Sequence, residues 1–478
     1  GFFSHAQVGS RGIEFHGVTI AVVLRCAFPF VDADHSAICD EVAGFKRVGD
    51  IHLHVEPATA VDRQVVKLPH QLVADDSGIG QWLVLARLPG APAGTRGISL
   101  FVVPKFLVGE DGSTRTRNAV TCGSIEHKMG IRGSATALLN FDAAVGHLIF
   151  EPNKGLEAMF TFMNTARIGT AIQGIAHAEA SFQGALAYAR ERRSMRAVTG
   201  KKEPDANADA LIWHADVRRM LLTQKAIAEG GRAMIYAAAK TADLMVDAGR
   251  RQDRATQDKH DDTLGFYTPI LKGFLTEMGL EAANLGMQVF GGHGYIHEHG
   301  MEQIARDARI ATLYEGTTGI QALDLLGRKI LLGTRGKCVR DFSRIMLRSA
   351  KTHWLAHGSI GRMARSTAKR AIEWNLLTLR IMRRVGKDRD LVGSASVDYL
   401  MYSGYVMMAH FWVRQAAVAQ TLLRNGKGAE SAEFYRAKIQ TAEFYFDRLL
   451  PRADAHRKSA LAPTRSVMQM GNGDFAFS

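Results

Sequence analysis

Apolar residues recur every three or four positions through most of the second half of the chain, and that spacing predicts helices. In "GLEAMFTFMNTARIGTAIQGIAHAEASFQGALAYARERRSM" the positions Ile168, Ala171, Ile172, Ile175, Phe182, Leu186 and Ala189 fall on one face and predict a buried stripe. A second long helix is predicted over 216–246, and a third over 264–290 with Pro269 near its start. A fourth restarts after "LYEGTTG". Thr318 and Gln321 have the T-x-x-Q spacing of a capping box, and Ile320, Leu323, Leu326 and Ile330 supply an apolar stripe. Antiparallel helices of this length predict a four-helix bundle over 153–332. Polar "GTRGKCVRD" (333–341) then opens a C-terminal helical extension over 333–478, whose clearest helix, "AESAEFYRAKIQTAEFYFDRLLP", stops at Pro451.

Between Gln81 and Ile149 the pattern shortens and alternates. "WLVLARL" (82–88), "ISLFVVPKFLV" (98–108), "NAVTCGSIEHKMG" and "ATALLNFDAAV" read as strands, separated by "PGAPAGTRG", "GEDGSTRTRN" and "GIRGS". They predict a small, truncated β-domain over 81–152, so the fold class is mostly α with a β middle domain. Residues 1–80 keep neither period and are expected to be poorly ordered. The pair His52 and His54 in "HLHV" has metal-ligand residue types, but two histidines alone do not make a site, and no metal is expected.

Composition changes this picture little. The 478 residues are 46% hydrophobic and 22% charged, a globular balance with room for two or three domains. The most apolar run, "GVTIAVVLRCAFPFV" (17–31), is broken by Arg25 and Pro29 and is too short to cross a membrane. No clear small-residue cleavage site follows it. The first residue is Gly rather than Met, as in a truncated or processed chain. Cys26, Cys39, Cys122 and Cys338 lie far apart with no C-x-x-C pair, which fits a reducing compartment: the cytoplasm of a bacterium, or the mitochondrial matrix of a eukaryote. The net charge of +13 admits nucleic acid as a partner, but the Lys and Arg are dispersed and no aromatic-rich basic motif occurs. No nucleic-acid partner is expected, and a phosphate-bearing ligand suits the charge better.

Four places carry candidate chemistry. Glu315 stands just before a helix start, where the dipole favours a carboxylate; spacing alone explains it structurally, and a catalytic base is the alternative. In "GMQVFGGHGY", Gly291, Gly292 and Gly294 end a helix, either as a left-handed stop or to let a ligand approach the backbone. Arg190, Arg192, Arg193 and Arg196 crowd a helix C-terminus, where the dipole favours cations and where a pyrophosphate is clamped equally well. Asn164 and Arg167 lie near the start of an Ala/Gly/Ile helix, and Arg167 there requires an internal carboxylate.

Taken in order, "MNTARIGTAIQGIAHAEASFQGALAYARERRSM" and "MQVFGGHGYIHEHGMEQIARDARIATLYEGTTGIQ" resemble the C-terminal bundle of the acyl-CoA dehydrogenases, and "EHKMGIRGSATALLNFD" (126–142) resembles the end of that family's β-domain. The resemblance covers about 82–331. The insert "TGKKEPDANADALIWHADVRRMLLTQKA", the continuation "YEGTTGIQALDLLGRKIL" and the long tail resemble most the bacterial branch containing 3-methylmercaptopropionyl-CoA dehydrogenase.

The resemblance implies FAD-dependent oxidation of an acyl-CoA to the trans-2-enoyl-CoA, with Glu315 as the base that removes the α-proton. It implies FAD contacts from Arg192, Ser194, Gln288, Gly291, Gly292 and Thr317, and an acyl-CoA site lined by Asn164, Arg167 and Gly316. It also implies a homodimer or homotetramer that passes electrons to an electron-transfer flavoprotein. Gly319 stands where many relatives carry Gln, and Met195 where many carry Phe. Residues 1–80 do not match the family: neither the Gly-Thr-Asp-type loop nor the aromatic-Ile-Ser/Thr segment expected against the flavin is found. They read as a divergent domain or as a misframed segment. In the latter case the chain is a non-catalytic remnant, a helical oligomerising or binding module.

Overall fold

The computed structural model describes residues 80–476, Glu110 and Lys427 excepted, together with short strands β1 (Ala6–Gly9), β2 (Glu14–Phe15) and β3 (His52–Val55). The apolar run 17–31, with Cys26 and Cys39, lies outside the described residues. The chain divides into two compact units, Gly1–Ala166 and Arg167–Ser478.

In the first unit β4 (Gln81–Arg87) pairs antiparallel with β5 (Ile98–Pro104), placing Leu85 opposite Leu100. The two-residue alternation turns Trp82, Val84, Phe101 and Val103 into one core with Phe141. The expected strand 98–108 breaks at Lys105, whose backbone N–H donates to the Gly80 carbonyl at 2.7 Å. It resumes as β6 (Phe106–Leu107), paired with β7 (Thr116–Arg117). β8 (Val120–Ile125) pairs with β9 (Ala137–Phe141), β10 (Ala144–Val145) follows, and β11 (His147–Ile149) returns to β5.

The helices are α1 (Gly155–Glu191), α2 (Ala215–Arg250), α3 (Arg254–Phe290), α4 (Met301–Ala311) and α5 (Thr318–Leu323), the last continued by a π-helical segment Asp324–Thr334. α3 starts at Arg254 rather than at residue 264, capped by the Asp253 side chain accepting from the Thr256 N–H at 3.1 Å. Pro269 therefore sits well inside it; the buried run from Leu264 to Leu275 carries the helix past a residue with no N–H to give. α1 and α3 cross with backbones touching, since a Cβ on Gly279 would stand 2.2 Å from the Gly174 carbonyl oxygen. The predicted stripes need correction. Ile172 is exposed on α1, and Ile320 and Leu323 are exposed on α5. Leu326 and Ile330 are buried as predicted, and Ala322 on α5 and Leu325 in the π-helical segment join them inside.

The extension supplies α6 (Lys337–Thr352), α7 (Ser359–Val385), α8 (Leu391–Asn425), α9 (Ala432–Phe444) and α10 (Arg452–Ala460). One core runs from Ala171 through Phe274, Trp374 and Trp412 to Ala460, so packing is continuous across residue 333. α8 lies against α2 and α3: the Trp412 indole donates to the Ala226 carbonyl at 3.2 Å, and Gly404 leaves room for the Phe274 ring. Among the described residues no helix is long and apolar enough to cross a membrane.

Candidate active site

Glu315 sits on a strained joint. α4 ends at Ala311, the Tyr314 N–H still reaches the Ile310 carbonyl at 3.0 Å, and Glu315 then takes φ +57° and Gly316 φ +90°. A left-handed conformation at a residue with a Cβ costs roughly 1–2 kcal/mol. Three contacts hold it. Lys272 Nζ donates to the Gly316 carbonyl at 2.6 Å, and Gln321 Nε2 donates to the Glu315 carbonyl at 3.0 Å and the Gly316 carbonyl at 3.3 Å. The expected capping box is thus displaced. Thr317 is the cap, its hydroxyl accepting from the Ile320 N–H at 3.4 Å, while the Thr318 hydroxyl donates to Glu277 at 2.5 Å. Gln321 serves the joint instead of the cap because its side chain turns back toward the buried carbonyls.

The carboxyl of Glu315 has a buried oxygen, Oε2, with no hydrogen-bond partner among the described residues. Burial pushes its pKa up, opposed by the charges of Lys272 and Arg167. Lys272 is wholly buried on α3, and burial lowers its ammonium to about 8 against the pull of Glu315. Burial and the Glu315 charge lift the Tyr314 phenol to about 12, and its hydroxyl donates to Gln173. The carboxylate that Arg167 requires is Asp324: Nη1 to Oδ2 is 3.0 Å, with both side chains nearly buried. Burial opposes ionisation of Asp324, but the hydrogen bond from Arg328 and the charges of Arg328 and Arg167 hold it below the ordinary carboxylate range. The two acids therefore differ: Asp324 is committed to cations, whereas Glu315 is half-buried with an oxygen to spare, which suits a proton acceptor. Asn164 lies in α1, and its side chain is outside what the structure describes.

The second group of candidate residues meets at the ends of α1 and α3. Tyr188, one turn before Arg192, stacks on Phe290 at 4.0 Å, and its hydroxyl lies 2.8 Å from His293 Nδ1. That joins the arginine-rich end of α1 to the glycine turn after α3. α1 stops at Glu191, so Arg192, Arg193 and Arg196 lie on the loop beyond it, pinned by Leu211 N–H to the Arg192 carbonyl at 2.8 Å and Ser194 N–H to the Asp209 carbonyl at 3.1 Å. Arg193 pairs with Glu203 and Arg196 with Asp209; Arg192 is exposed and makes no ion pair among the described residues. Gly291 has φ +60°, ψ −136°, which is not the left-handed helical stop but a region that glycine alone enters readily. A Cβ on Gly294 would stand 2.2 Å from the Met287 carbonyl oxygen, so that glycine serves packing, whereas Gly291 and Gly292 face open space. Gln288 opens on a cleft of about 720 Å³ that Thr318, Glu277 and Asn284 also line. Ser194, Gln288 and Thr317 are exposed.

Lys272 and Gln321 were not among the sequence candidates. A lone Lys between Leu271 and Phe274 poses the same demand for a partner as Arg167 does, and that signal was present.

The chain thus carries a half-buried acid on the joint between α4 and α5, and an Arg/Gly corner at the ends of α1 and α3. Residues 153–331 match the family described as "Acyl-CoA dehydrogenase, C-terminal domain", and residues 342–471 match "Acetyl-CoA dehydrogenase C-terminal like". The chain belongs to the acyl-CoA dehydrogenase family. It is similar to 3-methylmercaptopropionyl-CoA dehydrogenase of Ruegeria pomeroyi, 40% identical over 78% of this chain and 62% of that protein. Its fold is similar to that of ACDH-11 of Caenorhabditis elegans in complex with C11-CoA, with TM-score 0.62 and 18% identity over 82% of this chain and 64% of that one. It is likewise similar to an acyl-CoA dehydrogenase of Bacillus anthracis complexed with FAD, with TM-score 0.60 and 17% identity over the same shares. The chain spans under two thirds of the length of each.

Proposed function

We propose that this chain oxidises an acyl-CoA thioester to the trans-2-enoyl-CoA with FAD, and that Glu315 removes the α-proton. The observation that carries the reading is the buried Glu315 Oε2, without a hydrogen-bond partner among the described residues, on a joint held by Lys272 and Gln321. A thioester α-proton is weakly acidic, so its acceptor must be placed by the fold and raised in basicity by exclusion of water. Burial does this for Glu315, and Lys272 and Arg167 keep the carboxylate accessible near neutral pH.

The chain's residues fit FAD at its phosphates. Arg192, exposed and without an ion pair among the described residues, and the open Gly291 and Gly292 backbone stand at the corner fastened by Tyr188 and Phe290. Arg192, Ser194, Gln288, Gly291, Gly292 and Thr317 would hold the cofactor, some from a neighbouring subunit of a homodimer or homotetramer. When bound, FAD supplies the acceptor for the β-hydride, and an electron-transfer flavoprotein would receive the electrons. Arg167, Gly316 and Asn164 would line the acyl-CoA site, with Asp324 fixing the Arg167 guanidinium.

The first test is the flavin itself. The purified chain is expected to be yellow, or to become so with added FAD, and to bleach with acyl-CoA under anaerobic conditions. A second reading, a flavin-free helical module, is favoured by the sequence of residues 1–80, which lacks the motifs that face the flavin. A colourless protein that FAD does not reconstitute selects that second reading.

A further inference from the structure

Lys272 is wholly buried, and its ammonium makes one hydrogen bond, to the Gly316 carbonyl at 2.6 Å, and no ion pair among the described residues. A buried ammonium satisfied only by a neutral carbonyl is costly, and a fold retains one only where the charge is needed. The surroundings are built to keep it dry. A Cβ on the neighbouring Gly273 would stand 2.7 Å from a Leu400 methyl and 3.4 Å from Gln321 Cβ, so α8, α5 and α3 close over it. The charged groups facing this spot are Arg167 from α1, Lys272 and Glu277 from α3, and Glu315 on the joint, with Tyr314 beside it. Arg167 spends its charge on Asp324, and the Glu277 carboxylate takes the Thr318 hydroxyl. Lys272, Glu277 and Glu315 form no ion pair among the described residues, and of the three Lys272 is the one bonded to the joint, at the carbonyl of the residue after Glu315.

We propose that Lys272 is a positioning residue for the base: it fastens the left-handed Glu315–Gly316 turn through the Gly316 carbonyl, and its charge holds the Glu315 carboxylate ready at neutral pH. Gln321 shares the first task but carries no charge, so the two tasks separate by substitution. The proposal rests on the reading of Glu315 as base. In Lys272→Gln a donor remains and the charge is gone; in Lys272→Met both are gone.

The test runs both variants with full chain and FAD, measuring kcat and KM against pH with one acyl-CoA, and thermal melting of the FAD-free proteins. Both variants are expected to move the acidic limb of kcat upward by about one pH unit, a loss of about tenfold at the foot of the limb that recovers at high pH, with KM changed less than about threefold. Lys272→Met is expected to lose additional rate at every pH because the turn loosens, and Lys272→Gln to lose less. The FAD-free proteins give an independent readout. The stability gap between each protein and its Glu315→Gln counterpart grows with pH until the folded carboxyl ionises, then levels off; that point is expected to rise by about one pH unit when the Lys272 charge is removed. An unmoved acidic limb and an unmoved levelling point, with only a uniform rate loss, overturn the role of Lys272. Turnover persisting in Glu315→Gln instead removes the base reading, whatever the Lys272 variants do.

Discussion

Replacing Asp324 with Asn removes the negative charge that Arg167 faces at 3.0 Å. Side-chain exposures of 6% and 8% put this pair in the class where removing one partner costs about 3–5 kcal/mol. Asn keeps a hydrogen-bond acceptor, which favours the lower end, about 3 kcal/mol. The second ion pair of Asp324, to Arg328 at 2.5 Å, adds little because Arg328 is 55% exposed; Arg328→Ala alone is expected to cost under about 1 kcal/mol. In a unit as large as Arg167–Ser478, each kcal/mol moves the melting temperature by about 2 °C, so Asp324→Asn is expected to melt about 6 °C lower. Circular dichroism melts across pH supply a second check. The folded pKa of Asp324 is depressed, so its stabilisation is present above the ordinary carboxylate range and is lost as pH falls through the folded value. The gap between wild type and Asp324→Asn should hold from pH 8 to 5 and close in stronger acid. A gap below about 1 kcal/mol at pH 7, or one that does not close in acid, would show that the pair contributes no more than an exposed one.

Further expectations concern the cofactor corner and the buried Lys. Arg192→Ala should leave the melting temperature unchanged, because the side chain is exposed and makes no ion pair among the described residues, yet weaken FAD binding by about tenfold or more, measured by flavin release on dilution. Gly292→Ala should fold normally, since nothing lies within 4 Å of the added methyl, and Gly294→Ala should destabilise, since its methyl meets the Met287 carbonyl; equal melting temperatures would contradict this division of the glycines. Lys272 has a folded pKa of about 8 against an ordinary 10.5, so stability from this group is regained as pH rises from 8 to 10.5 and is absent at neutral pH. Lys272→Met should lack that alkaline rise, on the order of 3 kcal/mol, in denaturant titrations at pH 7.5 and 10.

Much of the bundle was legible because burial writes itself as spacing. Ala171, Ile175 and Ala189 lie inside where the period puts them. The period failed just before the helix changes type: Ile320 and Leu323 are exposed, whereas Leu326 and Ile330 are buried where the stripe puts them, and the π-helical segment from Asp324 brings Leu325 in beside them. The start of α3 was hidden because Arg254–Thr263 is largely polar with no buried residue, leaving only the Asp253 cap as a local signal. At the site, Arg167 announced a missing carboxylate, and Asp324 supplied it from far along the chain. Lys272 announced its partner in the same way, but that partner is a backbone carbonyl on a left-handed turn, which no side-chain pattern encodes. The joining of the Arg192 loop to the Gly291 turn rests on Tyr188 against Phe290 and His293, contacts between segments too distant in sequence to be read from periodicity.

Whether Glu315 is the proton acceptor is read from anaerobic mixing with acyl-CoA. Wild type and Glu315→Gln are loaded with FAD to the same stoichiometry, and the flavin absorbance is followed after mixing. Gln fills the volume of Glu and leaves the backbone contacts of Lys272 and Gln321 in place, so FAD should remain bound. Wild type is expected to bleach after mixing, and Glu315→Gln to remain oxidised. Bleaching of the Gln variant at a rate comparable to wild type would contradict the assignment.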